Sequence, residues 1–170
     1  MTIDTLRLIV EPISEKEAQF VLELLNTDGW VKYIGDRNIH SESDAIAYIN
    51  RINEDPNIKY WTVKLKPDKI PIGVVTLIKR DYLDLKDIGF AFLPEFSGNG
   101  YAYEAANALL LDLLNGGSLD HVVAITLKDN PASIKLIEKL GMQFERTITR
   151  GADTLFLYQT SKEQILFRHK

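Results

Sequence analysis

The run Phe96-Ser97-Gly98-Asn99-Gly100-Tyr101-Ala102 decides how this chain is read. It follows a stretch of strand character, Ile88 to Leu93, and leads into a segment whose apolar residues Ala102, Ala105, Ala106, Leu109, Leu110, Leu113 and Leu114 fall three and four apart until Gly116-Gly117. That spacing predicts a helix from Tyr101 to Asn115 with one apolar face. Two glycines at a strand-to-helix junction let the backbone turn tightly with its N–H groups outward, an arrangement that binds phosphate, although a lone Gly-x-Gly also serves as an ordinary turn. Two sharper nucleotide signatures are absent. A dinucleotide fingerprint requires a third small residue where Tyr103 stands, and a P-loop requires Gly-Lys-Ser/Thr.

Downstream of this helix, Val122 to Leu127 is a short β-branched run of buried-strand type. Asn130 (N-cap) and Pro131 (first helical position) then open a helix that ends at Gly141. Met142 to Arg150 and Thr154 to Tyr158, separated by Gly151-Ala152-Asp153, read as a last pair of strands. Upstream, Tyr60 to Leu65 and Ile72 to Ile78 form a hairpin across Lys66-Pro67-Asp68-Lys69, followed by a polar loop, Asp81 to Lys86. Nearer the N-terminus, Leu6 to Val10 is a strand, and Ser14-Glu15-Lys16-Glu17 is a capping box before Ala18, Val21, Leu22 and Leu25 at helical spacing. Gly29 to Asn38 is an aromatic-bearing loop, and Ser41 starts a helix that Asn53-Glu54-Asp55-Pro56 stops. The resulting order, β-α-α-β-β-β-α-β-α-β-β, predicts an α/β (α+β) fold, a mixed, mostly antiparallel sheet with helices on both faces, in one domain over residues 1–170.

Composition narrows the function classes. With 45% hydrophobic and 26% charged residues, the chain supports a real core. A formal charge of −4 with no Lys/Arg-rich block argues against nucleic acid as a partner. The absence of cysteine removes disulfides and a thiol nucleophile and suits a reducing compartment, so a cytoplasmic location is expected. His40, His121 and His169 lie far apart without ligand spacing, so no metal is expected. The N-terminal stretch MTIDTLRLIV lacks the features of a leader, and no stretch reads as a membrane span. An exposed edge strand at the C-terminal end would permit a homodimer.

In this order and spacing the segments resemble the GNAT N-acetyltransferase superfamily, within it the branch of ribosomal-protein N-terminal acetyltransferase-like enzymes. The residues that carry the resemblance are Thr5-Leu6-Arg7-Leu8, Asp87-Ile88-Gly89-Phe90, the run from Gly98 to Ala105, and Asn130, Ser133, Leu136 and Gly141. The resemblance implies acetyl-CoA as co-substrate and an amine as acceptor, either a protein N-terminus or a small molecule. It places the cofactor's pyrophosphate on the backbone amides of Gly98, Asn99, Gly100, Tyr101 and Ala102, its pantetheine arm on Asn130, and its sulfur near Ser133. It implies that the strands Ile88 to Leu93 and Val122 to Leu127 splay apart around the thioester, and that a backbone N–H near Phe92 or Leu93 meets the oxyanion.

Two positions depart from the family pattern. Ser97 stands where an Arg or Gln is usual, which removes a charged contact to phosphate. Ile137 stands where many members carry a tyrosine acid, so the branch's serine alternative, Ser133, is the expected group near the leaving sulfur. Asp87, where the branch often has a glutamate, is the candidate base, acting through water; alternatively Asp81, Asp84 and Asp87 only solvate a loop. Tyr158 either faces the acceptor or packs with its hydroxyl in water. Trp30, Tyr33 and Trp61 are candidates for the acceptor mouth, with core packing the better reading of Trp61. A rival reading from another class is an acetyl-CoA-binding sensor module without catalysis.

Overall fold

The computed structural model describes residues 1–168; His169 lies outside the described residues. An eight-stranded sheet runs in the order β1-β2-β3-β4-β5-β6-β8-β7. Its strands are β1 (Ile3–Asp4), β2 (Leu8–Pro12), β3 (Ile58–Leu65), β4 (Pro71–Ile78), β5 (Asp87–Phe92), β6 (His121–Leu127), β7 (Gln143–Arg150) and β8 (Asp153–Ser161). Every neighbouring pair is antiparallel except β5 with β6. That single parallel pair is joined by the crossover helix α4 (Tyr101–Asn115), as parallel strands require.

Helices α1 (Ala18–Leu25), α2 (Asp28–Tyr33) and α3 (Glu42–Glu54) cover one face of the sheet, and their buried residues Val21, Leu24, Trp30 and Ile49 pack with Val74 and Leu93. On the other face, α4 buries Ala105, Ala106, Leu109, Leu110, Leu113 and Leu114 against Ile72, Val75, Leu77 and Ile88, joined by Ile137 of α5 (Pro131–Lys139) and Ile165 of α6 (Lys162–Arg168). Burying one such side chain contributes roughly 1.5–3 kcal/mol, so these two layers hold the sheet. β4 lies between both layers, which is why its sequence, PIGVVTLI, is apolar almost throughout. At the other extreme, β7 is exposed along nearly its whole length and forms an open edge.

Several boundaries differ from the sequence reading. The first main strand begins at Leu8 because Leu6 faces solvent. The capping box is present, with Ser14 N–H donating to Glu17 Oε2 (2.9 Å), but its residues form a 3-10 turn before α1. The expected loop from Gly29 contains a short helix, α2, whose N-cap Thr27 Oγ1 accepts the Trp30 N–H at 3.3 Å. α6 was not expected. Among the described residues, no helix is long and apolar enough to cross a membrane, and no group of three or more His, Cys, Asp or Glu side chains is placed to hold a metal ion.

Candidate active site

β5 and β6 pair only at Asp87↔Val123. There Val123 N–H donates to the Lys86 carbonyl at 3.0 Å. One step further, the Ile125 N–H finds no strand carbonyl and donates to Asp87 Oδ1 at 3.2 Å, so a side chain closes the ladder at the point where the strands part. Beyond it opens a cleft of about 990 Å³. Phe90 and Phe92 line it from β5, Ile125, Thr126 and Leu127 from β6, and the start of α5 closes its rim.

The glycine turn forms one end of this cleft. Gly98 (φ +79°) and Gly100 (φ +76°) both occupy the left-handed region, where a side chain is strained whatever the space around it. Gly100 is the N-cap of α4 and no side chain caps it. The first helical bond is Glu104 N–H to Gly100 O at 3.0 Å. The N–H groups of Tyr101, Ala102 and Tyr103 therefore have no intrahelical acceptor, and all three residues line the cleft at the positive end of a four-turn helix.

Arg7 holds this turn from behind. Its Nη1 donates to the Asn99 carbonyl (2.9 Å), its Nε to Glu104 Oε2 (2.7 Å), its backbone N–H to Glu104 Oε1 (2.9 Å), and its guanidinium lies 4.5 Å from the Tyr101 ring centroid. Thr5 Oγ1 adds a 2.6 Å bond to the same carboxylate. Burial pushes the Glu104 carboxyl up, but the hydrogen bonds from Thr5 and Arg7 outweigh it and leave it lowered. Sequence reasoning gave Arg7 and Glu104 no role, because they meet only across 97 residues of chain. The turn thus has a guanidinium beside it although Ser97 carries no charge. Asn99 itself faces away, its amide bonded to Phe96 and Ser97 carbonyls.

On α5, Asn130 Oδ1 accepts the Ser133 N–H at 3.2 Å, so Asn130 caps the helix, while its Nδ2 makes no hydrogen bond among the described residues. Asn130, Ser133 and Ile137 all line the cleft. The Ser133 hydroxyl likewise makes no hydrogen bond among the described residues.

Phe92 and Leu93 separate on register. Leu93 N–H donates to Ile72 O at 2.9 Å and its side chain is buried in the core, so it is not an oxyanion donor. In an antiparallel ladder successive N–H groups point to opposite sides, and the Phe92 N–H consequently faces the gap toward β6. The Phe92 ring is seated over Gly73, where an added Cβ would come within 2.4 Å of it.

Asp87 is not a solvated loop residue. It is only 3% exposed, lines the cleft, and its Oδ2 accepts from Arg80 Nε at 2.7 Å. Burial pushes its carboxyl up to about 6; the Arg80 charge and hydrogen bond and the Ile125 N–H oppose the rise. The loop before it is equally well packed, Leu83 being buried against Val123 and Leu157, although Asp81 and Asp84 are exposed. Tyr158, by contrast, is not brought to the cleft: it is buried in the core and its hydroxyl donates to Glu138 Oε1 at 3.3 Å. Trp30 and Tyr33 line the far end of the cleft, together with Tyr60, Arg80 and Tyr82, whereas Trp61 is a core residue.

Known proteins share the fold. The acetyltransferase (GNAT) domain family model matches residues 7–143. The chain is 30% identical over 155 residues to the uncharacterized N-acetyltransferase YnaD of Bacillus subtilis (strain 168), covering 89% of this chain and 90% of the relative. A GNAT-family acetyltransferase from Bacillus anthracis superposes with a TM-score of 0.82 at 26% identity over 96% of this chain and 99% of that one. RimL, a ribosomal L7/L12 alpha-N-protein acetyltransferase solved with coenzyme A, has the same fold, with a TM-score of 0.83 at 14% identity over 95% and 98% of the two chains. With strands parted beside a glycine turn and a family match over most of its length, the chain belongs to the GNAT acetyltransferase family.

Proposed function

We propose that this chain transfers the acetyl group of acetyl-CoA to a primary amine by direct attack within a ternary complex. The observation that carries the reading is the single β5–β6 pairing, which opens one continuous cleft from the uncapped start of α4 to Asp87 and Arg80. Bound acetyl-CoA supplies a thioester: the amine's lone pair attacks its acyl carbon, the carbon–sulfur bond breaks, the nitrogen loses a proton and the sulfur gains one.

The residues divide this work by position. Backbone N–H groups from Gly98 to Ala102 hold the pyrophosphate at the helix's positive end. Asn130 Nδ2 donates to the pantetheine arm while Oδ1 keeps the cap. The Phe92 N–H meets the carbonyl oxygen as charge builds on it, a contribution of about 3 kcal/mol. Asp87 takes the amine's proton through a water molecule. With its carboxyl near 6, about nine-tenths of it is ionised at pH 7, and each of its oxygens keeps a lone pair beyond the bonds to Arg80 and Ile125. The Ser133 hydroxyl donates to the departing sulfur, since Ile137 has no proton to give. The α-amine of a peptide costs about 1 kcal/mol to deprotonate at pH 7 and a lysine roughly 4–5, so the more basic the acceptor, the more of this work falls to Asp87. We keep a homodimer through the open edge of β7 as part of the reading, to be checked by light scattering.

The test is CoA release over a panel of amines, run beside calorimetry of acetyl-CoA. Release with at least one amine supports the reading. Tight acetyl-CoA binding without release for any amine would make the chain a sensor module, and no binding would remove the cofactor assignment.

A further inference from the structure

The acceptor end of the cleft carries more positive charge than a generic amine would find congenial. Lys32, Arg37 and Arg80 line it, and of its carboxylates Asp87 is already paired with Arg80, while Asp153 stands across the β7–β8 hairpin from Arg150. Arg37 makes no ion pair among the described residues and is exposed at the mouth. Its guanidinium turns back over the loop, where a Cβ on Gly35 would lie 3.4 Å from Nη1. Arg37 and Arg80 both line this cleft together with Tyr60. Guanidinium groups complement an anion, and guanidinium reads a carboxylate in the bidentate manner that an ammonium-rich ligand cannot use.

We propose, on the footing of the acetyl-transfer reading above, that the acceptor is a small amine bearing a carboxylate beside its amino group, with Arg37 and Arg80 receiving the carboxylate. The chemistry is that of an amino acid. A polyamine would bring its second ammonium group against Arg37 and Lys32, leaving Asp153 as the one lining carboxylate without an ion pair among the described residues.

The experiment measures CoA release by the full chain for a panel of common amino acids, each against its own carboxamide, with spermidine and a short peptide of uncharged side chains alongside. Each acid and its amide share a side chain and differ in the carboxylate; because the carboxylate also makes the neighbouring amine more basic, KM is compared per concentration of neutral amine. The expected result is a KM lower for the acid than for its amide by about 10- to 100-fold. In Arg37→Gln that gap should shrink to a few-fold with kcat little changed, and Arg37→Lys should restore part of it. Arg37 is exposed, so its substitution leaves the fold intact, and unchanged acetyl-CoA binding by calorimetry verifies this. Amides turned over as well as acids, a preference for spermidine, or turnover of peptides alone would each overturn the proposal while leaving acetyl transfer standing. Failure to release CoA with every amine tried would overturn the acetyl-transfer reading, and this inference with it.

Discussion

Replacing Asp87 by asparagine separates proton transfer from strand positioning. The carbonyl oxygen of an asparagine can still accept the Ile125 N–H that now reaches Oδ1 at 3.2 Å, so the junction of β5 and β6 should survive. What is lost is a base. At pH 7 the rate should fall by about 10²–10⁴-fold, and the deficit should shrink as pH rises and the amine deprotonates unaided. Stability supplies an independent reading of the same carboxyl. Its folded value of about 6 lies above the ordinary 3.8, so the folded state binds the proton more tightly than the unfolded chain does. This stabilising contribution is therefore full below about 3.8 and is lost as pH rises through 6, a change of about 3 kcal/mol across that window. Asp87→Asn should abolish that pH dependence. At pH 7 it should leave the protein as stable as the wild type within about 1–2 kcal/mol, because Arg80, though it loses its partner, is 34% exposed and can be hydrated. Thermal melts from pH 4 to 8 and pH–rate profiles are the assays. Full activity of the variant at every pH would refute the base assignment; an equal loss at every pH would show that the carboxylate acts by holding the strands.

Other outcomes test the rest of the site. Asn130→Asp should keep the α5 cap and stay within about 1 kcal/mol of wild-type stability, yet bind acetyl-CoA more weakly by calorimetry, because a carboxylate cannot donate to the pantetheine arm; equal affinity would reduce Asn130 to a cap. Gly100→Val forces a β-branched residue to φ +76°, at a cost of at least about 1–2 kcal/mol, and should weaken acetyl-CoA binding in whatever fraction folds. Glu104→Gln should release Arg7, destabilising the protein by about 1–3 kcal/mol at pH 7. Because the Glu104 carboxyl is held below its ordinary 4.5, the wild type should lose that advantage as pH falls through the lowered value, and melts in acid should converge. Ser133→Ala should lower kcat without the pH signature of Asp87→Asn, and a Tyr158→Phe variant with a larger loss than either would redirect the proton path to β8.

What could be read from the chain alone was what its neighbours in sequence decide. The face of α4 is a repeat of three and four, β4 is an apolar run between two layers, and Asn130 caps a helix that begins at the next residue. α2 escaped notice because one short helix containing Gly29 shows no repeat, and its N-terminus has a single side-chain cap bond, to Thr27 Oγ1. The choice between Phe92 and Leu93 escaped for a different reason: it turns on register with β4, and a shift of one residue exchanges which N–H faces the gap. Charge placement was the least legible of all. Asp87 in a polar stretch reads as solvated until Arg80, Ile125 and the packed Leu83 loop are seen to enclose it. Ser97 reads as a missing phosphate contact until β2 is seen to bring Arg7 against the turn that Ser97 introduces. Both cases follow from the same physics. A burial or a charge is a property of a place rather than of a residue, and in this fold the cleft is assembled from elements that the sequence keeps far apart, so the local motif fixes the backbone cradle while the fold supplies the field around it.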